Sequence, residues 1–185
     1  MRQDAKKAAR LIAKRRRQEV HDPEAAVELI KHFPTVQFRG TPVGGYWPLP
    51  NEMDVRPLLK ALSESGFEVS LPCVVGKAQP LIFRKWGQGD AMRIGHFNVT
   101  EPHQHQAEVR PDFVLVPLLA FTPNGKRLGY GGGFYDRTLA KLRREGDVFA
   151  CGVAYAGQEV PYLPTDEHDQ LLDGILTEQY FKVFA

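Results

Sequence analysis

Apolar positions in this chain come in short runs broken by proline, glycine and polar clusters, and the runs have two rhythms. PDFVLVPLLAFT, residues 111–122, is apolar almost throughout. It is too short, and too interrupted by Pro117, to cross a bilayer. Continuity without alternation predicts a strand buried on both faces, as in a parallel sheet. DVFACGVAYA, residues 147–156, has the same character. Between them lie the glycine cluster RLGYGGG and the helical stretch FYDRTLAKLRREG. Strand, loop, helix and strand in that order make a βαβ unit. FEVSLPCVV and PLIFRKW read as further strands, the first nearly alternating. RIGHFNVTEPHQHQAE, polar and without period, reads as a long surface connection.

Upstream, residues 4–19 lack Gly and Pro and are rich in Ala, Lys and Arg, which predicts a helix. Lys6, Arg10, Lys14 and Arg17 share one stripe of it, with Ala8, Leu11 and Ile12 as a thin apolar side. DPEAAVELIKHF begins with Asp22 as a cap and proline at the first helical position, the start of a second helix. An extended piece follows around Val43 to Trp47, then a helix capped at Asn51, with Asp54 three residues on, and closed by Gly66. The end of the chain offers the acidic turn DEHD and a closing strand. These elements predict an α/β fold: a three-layer sandwich with a largely parallel central sheet flanked by helices, and a basic N-terminal helix. A length of 185 residues suits one domain, 1–185.

Composition adds little, since 43% hydrophobic and 25% charged residues are ordinary for a globular protein. Charge adds more. The net +2 hides eight Lys and Arg against two acids in the first twenty residues, and sixteen against twenty in the rest. The basic stripe therefore has a local purpose: a solvated face, a nucleic-acid footprint or a phosphate clamp. A nucleic-acid surface usually interleaves aromatics and makes the whole domain basic, and neither holds here. Cys73 and Cys151 have no CxxC or Cys/His spacing, which points away from a disulfide framework or zinc site and towards the cytoplasm. No apolar core follows the basic N-terminus, so a secretory signal is not expected.

The glycine cluster carries the chemistry. Gly129, Gly131, Gly132 and Gly133 fall within five positions, and each gives up about 0.5–1 kcal/mol relative to alanine in lost backbone order. A glycine turn entering a helix offers free N–H groups and a helix dipole to a phosphate; the bland alternative is a tight turn. Phe134 stands where GxGxxG needs glycine, and GxxxxGK[ST] is absent, so neither dinucleotide fold nor P-loop is implied. Asp136, just beyond the loop, and Asp169 in the acidic turn suit Mg²⁺, which takes one or two carboxylates beside nucleotide phosphates. Each alone reads as a capping or solvated residue, and only the neighbouring loop favours the metal. Glu101, His103 and His105 could chelate a metal, but a polar loop favours solvent exposure.

At RLGYGGGFYDRTL, preceded by PDFVLVPLLAFTPNGK, the chain resembles the 5-formyltetrahydrofolate cyclo-ligases, also called 5,10-methenyltetrahydrofolate synthetases. KKAAR, YWPLPNEMDV, GQGDAMRIGHFNVTEP and LPTDEHDQLLDGI extend the resemblance in order along nearly the whole chain. It implies a MgATP-dependent closure of 5-formyltetrahydrofolate, with or without a polyglutamate tail, through a phosphorylated formyl group, with ADP and phosphate released. It implies that Lys6, Lys7, Arg10, Arg127, Gly129, Gly131, Gly132, Gly133, Phe134 and Tyr135 hold ATP, and that Asp136 and Asp169 serve Mg²⁺. Trp47, Glu52 and Tyr135 face the folate, and Lys6, Arg10 and Tyr135 act in catalysis. The expected protein is a cytoplasmic monomer with no membrane or nucleic-acid partner. Without the resemblance, Glu52 reads as an acid favouring a helix dipole, and Tyr46 and Trp47 as core aromatics. Tyr130 and Gly132 stand where some relatives carry basic residues.

Overall fold

The computed structural model describes residues 2–185, with side chains from residue 4 onward. The side chain of Arg2, counted above among the basic residues, lies outside the described residues. The chain runs through α1 (Arg2–Glu19), α2 (Glu28–His32), β1 (Val43–Gly44), α3 (Arg56–Glu64), β2 (Val69–Cys73), β3 (Ile82–Lys85), β4 (Met92–Ile94) and β5 (Thr100–Pro102). It continues through β6 (Phe113–Pro117), β7 (Ala120–Phe121), β8 (Arg127–Leu128), α4 (Phe134–Glu145), β9 (Phe149–Val153), β10 (Gly174–Leu176) and β11 (Phe181–Val183).

Seven strands form one sheet in the order β11-β10-β9-β6-β1-β2-β3. The five inner strands are parallel, and β3 and β11 close the two edges antiparallel. The apolar run behaves as its pattern requires. Phe113 and Leu115 of β6 pack with Leu29 of α2 and Leu58, Leu59 and Leu62 of α3, while Val114 and Val116 pack on the other face with Leu139 and Leu142 of α4. A strand with helices on both faces has no polar side to show, so it is apolar at every position. Burying each of these side chains contributes roughly 1.5–3 kcal/mol.

Three expectations need correction. The third helix begins at Arg56 rather than just after Asn51, because Asn51 is left-handed at φ 64° and Asp54 accepts from the Arg56 N–H at 2.9 Å. The connection after β3 is not irregular: β4 and β5 pair as an antiparallel hairpin. Its Glu101 is only 1% exposed, bonded to Arg93 at 2.5 Å and to the Val74 N–H at 3.1 Å. Finally, α1 seats Ala9 and Ala13 against Leu119, Ala120, Leu128 and Leu163, and leaves Leu11 and Ile12 exposed. The second helix does start at the Asp22 cap, first as a 3₁₀ turn, Pro23–Val27, and then as α2.

Between β6 and α4 the short β7–β8 hairpin turns the chain back, so the glycine loop follows β8. Gly131 at φ 101° and Gly133 at φ 66° are the loop's left-handed positions, conformations that a side chain disfavours. No helix among the described residues is long and apolar enough to cross a membrane. Both cysteines are buried; burial pushes the Cys73 thiol up to about 11 and Cys151 higher still.

Candidate active site

The carboxyl ends of parallel strands in an open α/β sheet are where ligands bind, because loops there diverge from a rigid base. Here Tyr46 and Trp47 beyond β1, Pro72 and Val74 at the end of β2, and Pro117 at the end of β6 floor a cavity of about 1240 Å³. Small-molecule sites usually run to roughly 300–1,000 Å³, so this volume suits two ligands side by side. All the residues expected to hold ATP, folate or metal line it: Lys6, Lys7, Arg10, Trp47, Glu52, Arg127, Gly129, Gly131, Gly132, Gly133, Phe134, Tyr135, Asp136 and Asp169. They come from four segments of chain that only the fold brings together.

One half of the cavity is ionic. The Lys6 ammonium donates to Asp169 at 2.6 and 2.9 Å and to Asp166 at 2.6 Å. Burial works against its charge, but the two carboxylates outweigh that and hold its pKa above the ordinary lysine value. Arg127, 7% exposed, donates to Asp136 Oδ1 at 2.6 Å, and the Gln170 N–H donates to the same oxygen at 2.9 Å. Burial draws the Arg127 pKa down while Asp136, then Asp169, oppose that. Asp136 and Asp169 thus line the same cavity, each balanced by a cation. No cluster of three or more His, Cys, Asp or Glu capable of holding a metal occurs among the described residues. Two carboxylates without a full cage fit Mg²⁺ that arrives with phosphate oxygens, and do not fit a tightly chelated structural ion. Glu101 faces Arg93 and His103 and His105 are exposed, so that trio does not form a site.

Above this lies the glycine loop. Arg10 Nε donates to the Gly129 carbonyl at 3.0 Å, and Arg137 Nη2 donates to the Gly132 carbonyl at 2.7 Å. Arg137 also lies over the Phe134 ring, 5.2 Å from its centroid. Two guanidinium groups therefore bracket a loop that has no basic side chain of its own from Gly129 to Gly133. Sequence reasoning missed Arg137, although its place one turn into a helix entered from a phosphate-like loop was the available signal.

The other half is aromatic and carries one carboxylate. Glu52 is 6% exposed; Oε2 accepts from the Leu49 N–H at 2.7 Å and Oε1 from the Tyr130 hydroxyl at 2.5 Å, with Arg17 Nη1 3.8 Å away. Burial pushes its pKa up, and the Tyr130 bond, the Leu49 N–H and the Arg17 charge only partly offset that. Arg17, on the basic stripe but not expected at the site, is 6% exposed and also donates to the Tyr130 hydroxyl and to the Pro50 carbonyl. Tyr135 has a buried hydroxyl with no hydrogen-bond partner among the described residues, and burial, with Glu52 nearby, raises its pKa far above that of free tyrosine. It stays neutral, an unused donor on a residue that lines the cavity. Phe97, from the β4–β5 hairpin, meets Phe134 edge-on at 5.7 Å and completes the wall.

The 5-formyltetrahydrofolate cyclo-ligase family matches residues 1–178. The 5-formyltetrahydrofolate cyclo-ligase of Escherichia coli K12 is 31% identical over 159 residues, covering 83% of this chain and 86% of the relative. That of Haemophilus influenzae is 33% identical over 136 residues, covering 71% and 72%. The solution structure of the 5,10-methenyltetrahydrofolate synthetase of Aquifex aeolicus superposes with a TM-score of 0.72 at 26% identity, over 93% of this chain and 92% of that one.

Proposed function

Because the chain belongs to the 5-formyltetrahydrofolate cyclo-ligase family, we propose that it closes 5-formyltetrahydrofolate to 5,10-methenyltetrahydrofolate, using ATP with Mg²⁺ and releasing ADP and phosphate. The observation that carries the reading is the single two-part cavity, ionic around the glycine loop and aromatic around Glu52. Residues 1–185 work as one domain, a cytoplasmic monomer.

The chemistry assigns the two halves. A formamide oxygen leaves poorly, so it must first be activated: the γ-phosphoryl group of ATP passes to the formyl oxygen and ADP departs. Nitrogen 10 then attacks the formyl carbon, gives up its proton, and the oxygen leaves as part of phosphate. Phosphoryl transfer needs in-line positioning and neutralised charge rather than a nucleophilic side chain. Lys6, Lys7 and Arg10 of α1, with Arg127 and the N–H groups of Gly129 to Tyr135, hold the phosphates. Asp136 and Asp169 would hold Mg²⁺, which supplies further charge neutralisation there when bound. Lys6 exchanges its carboxylate partners for phosphate oxygens, so its charge is available without being desolvated twice.

On the folate side, the buried Glu52 carboxylate accepts hydrogen bonds from the pterin ring, Trp47 walls it, and the unpartnered Tyr135 hydroxyl donates to the reacting formyl region. An orphan hydroxyl in a cavity wall is what a substrate oxygen can satisfy. Holding nitrogen 10 against the activated carbon contributes as proximity. The test is growth of the near-ultraviolet absorbance of the methenyl product with purified protein, 5-formyltetrahydrofolate, ATP and Mg²⁺. Growth that needs all three components supports the reading. A folded protein that binds ATP without product formation would move the substrate to another small molecule.

A further inference from the structure

Among residues 129 to 133 only Tyr130 has a side chain, and that side chain reaches Glu52. Its hydroxyl donates to Glu52 Oε1 at 2.5 Å and accepts from Arg17 Nη1, joining three segments far apart in sequence. The Arg17 guanidinium lies 5.4 Å from the centroid of the Tyr130 ring, so ring and hydroxyl are gripped together. Glu52 and Arg17 are each only 6% exposed. Of the two Glu52 oxygens, Oε2 is fixed by the backbone at Leu49, whereas Oε1 is set by the side chain of Tyr130, from the glycine loop. The other side-chain anchors of the loop, from Arg10 and Arg137, end on the loop carbonyls of Gly129 and Gly132.

We propose that Tyr130 is a coupling latch: its hydroxyl ties the phosphate-binding loop to the substrate carboxylate Glu52, so that a nucleotide seated on the loop orients Glu52 for the folate. The inference rests on the function proposed above and names a positioning residue for it. A nucleotide that draws Arg10 towards its phosphates acts on the carbonyl of Gly129, the residue next to Tyr130. The displacement reaches Glu52 through one hydroxyl, and a buried carboxylate pinned at both oxygens presents one geometry to a ring of donors. Coupling between two sites is reciprocal, so the folate must tighten the nucleotide by the same factor.

The experiment uses the full chain and its Tyr130→Phe variant, which keeps the ring and its contact with Arg17 and removes only the oxygen. Calorimetry measures the dissociation constant of 5-formyltetrahydrofolate with and without a non-hydrolysable ATP analogue and Mg²⁺. The expected result is that the analogue tightens folate binding about fivefold or more in the unaltered protein, and by less than about twofold in Tyr130→Phe, with each ligand still binding alone. A variant with undiminished coupling overturns the latch, as does an unaltered protein that binds both ligands independently. If the unaltered protein binds neither ligand, the proposed function itself fails, and the two failures are told apart by those binary titrations.

Discussion

Replacing Glu52 with glutamine tests the aromatic half of the cavity most directly. Glutamine keeps the shape and an acceptor oxygen for the Leu49 N–H, so the segment that leads into α3 holds its course. What is lost is an ionised acceptor in a site 6% exposed. A hydrogen bond to a charged group is worth about 1.5–3 kcal/mol, which converts to about a 10- to 150-fold loss in kcat/KM for the folate. The ATP KM at saturating folate should rise by no more than the coupling factor, about fivefold, since Glu52 meets the glycine loop only through Tyr130. The pH dependence gives a second reading. Burial raises the Glu52 pKa, so the ionised form that binds is lost, as pH falls, at a higher pH than an exposed carboxylate would give. The unaltered enzyme should therefore show an acid limb in kcat/KM above the ordinary carboxylate range, and Glu52→Gln should lack it. Steady-state titrations of each substrate across pH decide the matter. A variant with folate kcat/KM within about twofold of normal and the acid limb intact would refute the role, leaving Glu52 as a purely structural acid.

Lys6→Ala should reduce turnover by about 10²-fold or more, as loss of one preorganised charge does, with the ATP KM rising and the folate KM little changed; full turnover would remove Lys6 from the phosphate site. Asp136→Asn should raise the Mg²⁺ concentration for half-maximal rate. It also deprives the buried Arg127 of its charged partner, and with Asp136 itself partly exposed this should cost about 2 kcal/mol, or about 4–8 °C in melting temperature; an unchanged Mg²⁺ dependence would sink the metal assignment. Gly132→Val adds a Cβ already 3.0 Å from the Phe134 ring, and should weaken ATP binding by blocking backbone approach to the phosphates. Normal ATP affinity in that variant would mean that the loop is only a turn.

The hairpin at β4–β5, with its one buried carboxylate, shows where sequence reading fails. Glu101 and Arg93 make the segment look solvated, and only their mutual pairing, with the Val74 N–H, allows a carboxylate to sit 1% exposed. A charge is polar in the sequence and compatible with burial in the fold, and the difference is a partner eight residues away. The same applies to α1. Its apolar residues Leu11 and Ile12 face outward, while Lys6, Arg10 and Arg17 turn inward, because the surface they meet is a cavity of carboxylates and carbonyls.

What the sequence by itself determined was local and periodic. The unbroken apolar runs of β6 and β9 specify strands covered on both faces; the Asp22 cap and Gly66 mark helix ends; the left-handed conformations at Gly131 and Gly133 require glycine where the loop enters α4. These follow from side-chain volume, backbone freedom and periodicity, which act between neighbours. Tertiary structure decided which of the charges meet. Lys6 reaches Asp169, Arg127 reaches Asp136, and Tyr130 reaches both Glu52 and Arg17 across up to 163 positions of chain. Electrostatic and hydrogen-bond energies depend on distance in space and on burial, and neither quantity exists until the sheet has set the ends of β1, β2 and β6 side by side.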